Sequence, residues 1–266
     1  MTFSFSKRQL LAVTLVATAA LVAPVVSAQN ALADIVKNKS INIAIPTDSP
    51  PYGSVGTDLK PQGLDIDMAY YVASKLGVKA ELISVNSANR IPFLQTKKAD
   101  LVISTLGKNA EREKVIDFTA AYSPFFQAVF AAKTLKIESF ADLAGKSVAV
   151  TRGAMEDQEL AKVAPAAANM RRFEDNNATV SAFVAGQVDV IAAGAAVAGN
   201  MMANNPRLNT EYKLLLKESP NFMGVAKGED ALRLKINEII AAGIKNGDID
   251  AICKKWTGRP AGTLPL

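Results

Sequence analysis

The 266-residue chain has no histidine and one cysteine, Cys253. The first absence removes the commonest general base and the commonest transition-metal ligand together. The second leaves no partner for an internal disulfide, and a lone thiol within the helical pattern Asp250–Trp256 reads as a small buried hydrophobe. Charge of either sign is never blocked: 30 Lys and Arg are scattered among 25 Asp and Glu, for a net charge of +5. So modest and dispersed a balance supports no nucleic-acid partner. There is no Ser/His/Asp arrangement, no metal-ligand cluster and no GxxxxGK phosphate loop, so neither a metal nor another cofactor is expected.

Long apolar runs are also scarce, with one exception. Leu10 to Ala23 follows Lys7 and Arg8 and ends at Pro24, after which Val26-Ser27-Ala28 supplies small residues. That is the grammar of a signal peptide spanning residues 1–28, cleaved after Ala28. The run is shorter than the ~20 residues a membrane-spanning helix needs. Cys253 lies far from the cleavage site, so no lipid-anchored cysteine follows the signal. Removing the signal takes Lys7 and Arg8 with it and leaves 238 residues with a charge of +3. A chain of that length stands near the size at which single cores divide.

What remains alternates short strand patterns with helical ones. Ile41 to Ile45 alternates with period two and stops at Pro46. Asp65 to Leu76 carries a helical apolar face closed by Gly77, and Val78–Ile83 and Leu101–Ser104 read as further strands. The order β-α-β-α-β predicts a largely parallel sheet covered by helices. The pattern restarts at Gln127 and runs to Leu216, and helices at 230–244 and 249–256 close the chain. Two α/β units predict two lobes. Pro124 and Pro220 mark the crossings between them, because a residue before proline is held extended. The lobes are then 29–124 with 222–266, and 125–221.

Candidate binding residues sit at strand ends, where open α/β sheets hold ligands. After Leu101–Ser104 come Thr105, a hydroxyl; Gly107, which lets a ligand approach the backbone; and Arg112, a planar fork that matches a carboxylate. The same residues also read as a solvated helix start. After Val150 come Arg152, Gly153, Ala154, Met155 and Glu156, where a glycine opens a helix whose free N–H groups suit an anion, although a turn with a solvent-facing arginine reads as well. Tyr52, after Pro50-Pro51, is placed either to wall a cleft or for ordinary packing. Asp65 and Asp67 are expected to serve the start of their helix as cap and dipole partners rather than as a catalytic pair.

Read together, Pro50-Pro51-Tyr52, Gly63-Leu64-Asp65-Ile66-Asp67-Met68-Ala69, Asn89 to Gln95, Ala110 to Thr119, Asp142 to Val150, Gly186-Gln187-Val188-Asp189 and Lys255-Trp256-Thr257-Gly258 resemble the bacterial extracellular solute-binding proteins of the polar-amino-acid class. The resemblance runs through nearly the whole mature chain. It implies an α/β, two-lobed periplasmic-binding fold of type II, with two hinge crossings and the C-terminal helices returned to the first lobe. It implies a periplasmic receptor of an ABC importer, which captures an amino acid or related small carboxylate and passes it to a membrane permease. A hinge requires only one copy, so a monomer is expected.

By the same resemblance Arg112 grips the ligand carboxylate, helped by backbone N–H groups at Gly107 and near Ala154–Met155, and Thr105 assists the ligand amine. Three departures bear on the ligand. The aspartate that commonly holds the ammonium falls at Gly194, the aromatic clamp at Ser49 and Ser87, and a glutamine and threonine of the second lobe at Arg152 and Ala154. The pocket therefore keeps its anion grip and loses its usual ammonium partner, for which Glu156 and Asp48 are substitutes. A non-cationic or acidic ligand is the other outcome. The rival is an exported enzyme on the same fold, such as a cyclohexadienyl dehydratase, for which Glu156 or Lys108 is the best acid or base. Without histidine or a clear carboxylate pair, catalysis is not expected.

Overall fold

The computed structural model describes residues 30–264. The expected signal and its cleavage site lie outside the described residues. In chain order the first part runs α1 (Ala31–Asn38), β1 (Ser40–Pro46), β2 (Asp48–Ser49), β3 (Gly53–Val55), β4 (Pro61–Gln62), α2 (Leu64–Leu76), β5 (Lys79–Val85), α3 (Arg90–Gln95), β6 (Leu101–Leu106), α4 (Ala110–Glu113) and β7 (Ile116–Ser123). The middle runs β8 (Phe126–Ala132), β9 (Ser147–Thr151), α5 (Met155–Val163), β10 (Asn169–Phe173), α6 (Asn176–Val184), β11 (Val190–Gly194), α7 (Ala195–Asn204) and β12 (Thr210–Glu218). The chain closes with β13 (Asn221–Ala226), α8 (Asp230–Lys245) and α9 (Asp248–Thr257).

Two five-stranded sheets result, ordered β5-β1-β6-β13-β7 and β10-β9-β11-β8-β12, with β2-β3-β4 as a small third sheet. Each large sheet is parallel only in part. β5, β1 and β6 run parallel, but β13 is antiparallel to both β6 and β7; β10, β9 and β11 run parallel, but β8 is antiparallel to β11 and β12. The expectation of a largely parallel sheet is corrected here for a physical reason. β7 and β8 are joined across Pro124-Phe125, and β12 and β13 across Ser219-Pro220, so the outgoing and returning strands lie side by side in each sheet. Within each such pair one strand carries the chain toward the other lobe and its neighbour carries it away, so the two run in opposite directions. Asn221 Nδ2 donates to Ser123 Oγ at 3.0 Å and ties the two crossings together.

The first sheet is covered on both faces, which is why β6 reads as the nearly unbroken apolar run Leu101-Val102-Ile103. Ile41, Ile43, Ile45, Leu101 and Ile103 pack on α2 through Leu64, Met68 and Val72, and on α8 through Leu232, Ile236, Ile239 and Ile240. Those α8 positions form one stripe at helical spacing. Each such side chain contributes about 1.5–3 kcal/mol on burial. Ala44, Val102, Leu106, Leu94 and Ile116 fill the opposite face, under α3. Cys253 is buried in the core on the α2 and α8 face, which pushes its thiol up to about 12. The result is a rigid platform whose strand ends meet those of the second sheet.

Candidate functional site

Leu106 ends β6, and the chain turns through Gly107 into the short α4. Asn109 caps that helix by accepting the Arg112 N–H at 2.9 Å, which fixes where the arginine side chain starts. The guanidinium then turns inward and is 3% exposed. Nη1 donates to Gly107 O at 2.8 Å and Nη2 to Gly153 O at 3.0 Å, so one cation binds a carbonyl from each lobe. Its Nε, also buried, has no partner among the described residues. Burial, then the nearby positive charge of Arg90, pushes Arg112 down to about 9, against the pull of Glu156 and Glu159.

Arg90 is the second buried guanidinium, again 3% exposed. It opens α3, and its Nη1 donates to the carbonyls of Ser104 and Thr105. Its Nε likewise lacks a partner among the described residues. Burial lowers its pKa, while Glu156, Asp48, Tyr122 and Asp65 oppose that shift.

Asp65 holds the turn beneath them. Its carboxylate accepts the Thr105 N–H at 2.8 Å and the Tyr122 hydroxyl at 2.7 Å, and burial raises it to about 7. Thr105 has φ of +41°, a left-handed conformation that a β-branched residue rarely adopts, and Asp65 is one of the groups that keep it there. The role of helix cap expected of Asp65 and Asp67 is therefore corrected. Gly63 is the cap residue of α2, and Asp67 accepts from Lys255 Nζ and Trp256 Nε1 instead, both at 2.6 Å.

Between the lobes lies a cavity of about 20 Å³. Thr105, Arg90, Ser49 and Ser87 line it from the first lobe. Ala154, Met155, Glu156, Asn176 and Gln127 line it from the second, with Phe125 at the crossing. That space admits one water but no amino acid, so a ligand requires the lobes or their side chains to give way. Lobe contacts frame it. The Asn176 N–H donates to Asp48 Oδ2 at 2.9 Å, Asn176 Nδ2 to Ser49 Oγ at 2.8 Å, and Asn109 Nδ2 to Gln158 Oε1 at 2.8 Å. Glu156, 5% exposed, is raised to about 7 by burial, against its own backbone N–H, Arg90 and Arg112.

Of the residues singled out in the sequence, Thr105, Ala154, Met155 and Glu156 line this cavity. Arg112 stands behind it on the two carbonyls. Gly107 is covered by Met155, whose terminal methyl lies 2.7 Å from where a Cβ on Gly107 would be. Tyr52 does not line it: its hydroxyl donates to Pro124 O at 3.0 Å, its ring meets Phe125 edge-on, and it walls a separate open groove of about 800 Å³ beside the hinge. Nor does Arg152, which is exposed and pairs with Glu174 at 3.1 Å because the turn at Gly153 carries its side chain outward. Lys108 is exposed and pairs with Glu113 at 2.9 Å. Sequence reasoning missed Arg90, Gln127 and Asn176. Two faint signals existed: a cation at the start of a helix, where the dipole disfavours it, and a lone amide inside the apolar strand Phe126–Ala132.

A family model described as bacterial extracellular solute-binding proteins, family 3, matches residues 41–259. The chain belongs to that family. Among curated relatives of this solute-binding protein, the ABC transporter glutamine-binding protein GlnH of Bacillus subtilis (strain 168) is 30% identical over 235 residues, covering 86% of this chain and 85% of the relative. Among solved structures, a mutant of the T. maritima protein ArgBP has a TM-score of 0.80 at 27% identity, covering 86% of this chain and all of that one. The ancestral amino-acid-binding protein AncCDT-1, described as a precursor of cyclohexadienyl dehydratase, has a TM-score of 0.76 at 28% identity, covering 85% and 99%. The fold is the two-lobed type II arrangement of these neighbours, and the relatives are named as binding proteins.

Proposed function

We propose that this chain is the exported, periplasmic receptor of an ABC importer, freed from its signal after Ala28, and that it closes on an amino acid or related small carboxylate between its lobes. The observation that carries this reading is the pair of buried, mutually repelling guanidiniums: Arg90 lines the interlobe cavity, Arg112 stands behind it, and neither Nε has a partner among the described residues. Two like charges out of water are costly, and an anion placed against them relieves both burial and repulsion. In this reading Arg112 and Arg90 receive the ligand carboxylate, and Thr105 and the N–H groups near Gly107 and Ala154–Met155 complete the grip once the Met155 side chain withdraws.

Micromolar affinity needs about 8 kcal/mol, of which a charge-assisted pair supplies about 1.5–3. The rest comes from the other lobe and from desolvation on closure. Residues 29–124 with 222–266 move as one lobe and 125–221 as the other, the chain acts as a monomer, and the outer faces of the closed form meet the permease. Calorimetric titration of the mature chain with the standard amino acids and with 2-oxo acids tests the reading. At least one binds at a single site, and Arg112→Ala weakens it at least tenfold while melting as a folded protein. A folded chain that binds none of them ends the proposal, and an unchanged dissociation constant in the variant removes Arg112 from the site.

One observation favours the enzymatic rival: Glu156, buried and poised near 7, has the ionisation of a proton-transfer group. No second group of that kind lines the cavity, and Lys108 faces solvent. Incubation with prephenate and arogenate leaves both intact if the chain only binds.

A further inference from the structure

The aspartate that the resemblance pairs with a ligand ammonium is replaced by Gly194, and the room for it is taken. A Cβ on Gly194 would lie 2.4 Å from Cζ of Phe125, so the aromatic ring fills the space of the lost side chain. An ammonium offers three donors and no acceptor, and burying it unpartnered costs several kcal/mol. The acceptors must therefore come from elsewhere if the ligand is a zwitterion.

Two buried acceptors face the cavity. Gln127 is the cross-strand neighbour of Gly194 in the β8–β11 pair and is 1% exposed, yet its Oε1 has no partner among the described residues. The Glu156 carboxylate meets its own backbone N–H, and among the described residues it forms no ion pair with either guanidinium. Asp48, the other substitute, is already occupied by the N–H and side chain of Asn176. The cavity thus has donors on its first-lobe side, at Arg90, and unsaturated acceptors on its second-lobe side, at Gln127 and Glu156.

We propose that Glu156 and Gln127 together hold the ammonium of the ligand, so that this receptor selects amino acids over their 2-oxo analogues by a pair of acceptors in place of the aspartate. The proposal rests on reading the cavity as the ligand site. The charged groups around Glu156 are Arg90 from α3, Arg112 from α4 and Asp157 on its own helix. The two cations disfavour an ammonium unless Glu156 is ionised, so the bound amine draws the proton off Glu156. Affinity for an amine-bearing ligand accordingly rises as pH passes from 6 to 8, while that for an oxo acid does not.

The test is calorimetry of the mature chain with the standard L-amino acids, and with the 2-oxo acid of each one that binds, for wild type, Glu156→Gln and Gln127→Leu. In the wild type the amino acid binds at least tenfold more tightly than its oxo acid. Each substitution weakens the amino acid at least tenfold and leaves the oxo acid unchanged or tighter. If Glu156→Gln fails to fold, Gln127→Leu and the pH dependence of wild type carry the test. The proposal is overturned if wild type binds oxo acids as well as amino acids, or if the variants weaken both ligands alike. A wild type that binds neither class overturns the receptor reading as well.

Discussion

Asp65 shows how far one buried residue shapes this site. A single carboxylate satisfies the Thr105 N–H and the Tyr122 hydroxyl and stands near Arg90. An asparagine supplies one acceptor oxygen and an NH₂ where a second acceptor is needed. Asp65→Asn is therefore expected to cost about 1–3 kcal/mol, by the penalty for an unsatisfied buried donor, in urea denaturation. The cost depends on pH with a definite sign. Burial raises the folded carboxyl from 3.8 to about 7, so its contribution is full below pH 3.8 and is lost as pH rises through 7. The penalty of the substitution is accordingly larger at pH 5 than at pH 8; the opposite trend removes this account of Asp65. Legibility is poorest at this scale. Asp65 sits where a helix-start carboxylate is common, and nothing local distinguishes a dipole partner from a residue whose partners are 40 and 57 positions away. Arg152 fails for the complementary reason: one turn residue decides whether a long cation faces the cleft or water.

At the scale of elements, strand ends and helix starts do the work. The N-terminus of α6 docks onto the first lobe through Asn176, which meets Asp48 and Ser49 while its Oδ1 accepts the Thr151 hydroxyl at 2.9 Å. With each bond worth about 0.5–1.5 kcal/mol, Asn176→Ala is expected to raise the dissociation constant of the best ligand three- to tenfold with only a small change in melting temperature. Equal affinity in the variant shows that the contact does not support closure. Most elements are legible in the sequence because their patterns are local: period-two alternation in β1, the helical stripe with its glycine stop in α2, and the C-terminal helices. The strands β7 and β13 are not. Ile116–Ser123 buries residues without clean alternation and Asn221–Ala226 carries Gly224 mid-strand, so each is a strand by virtue of pairing with the other.

Across the whole molecule, two sheets with separate cores are joined by two short crossings, and Arg90, Arg112 and Glu156 are buried where they meet. The two-lobed α/β architecture is legible because it follows from element order. The identity of the pocket is less so, because Arg90 and Gln127 come from separate lobes and line one cavity only where those lobes meet. A ligand that touches both lobes favours the closed form by its differential affinity alone. The most direct measurement of that claim is small-angle scattering of the mature chain with and without its best-binding amino acid, beside Arg112→Ala at the same ligand concentration. The account predicts that saturating ligand shifts the wild-type profile to a more compact one, and that the variant does not shift. A bound ligand that leaves the wild-type profile unchanged contradicts it.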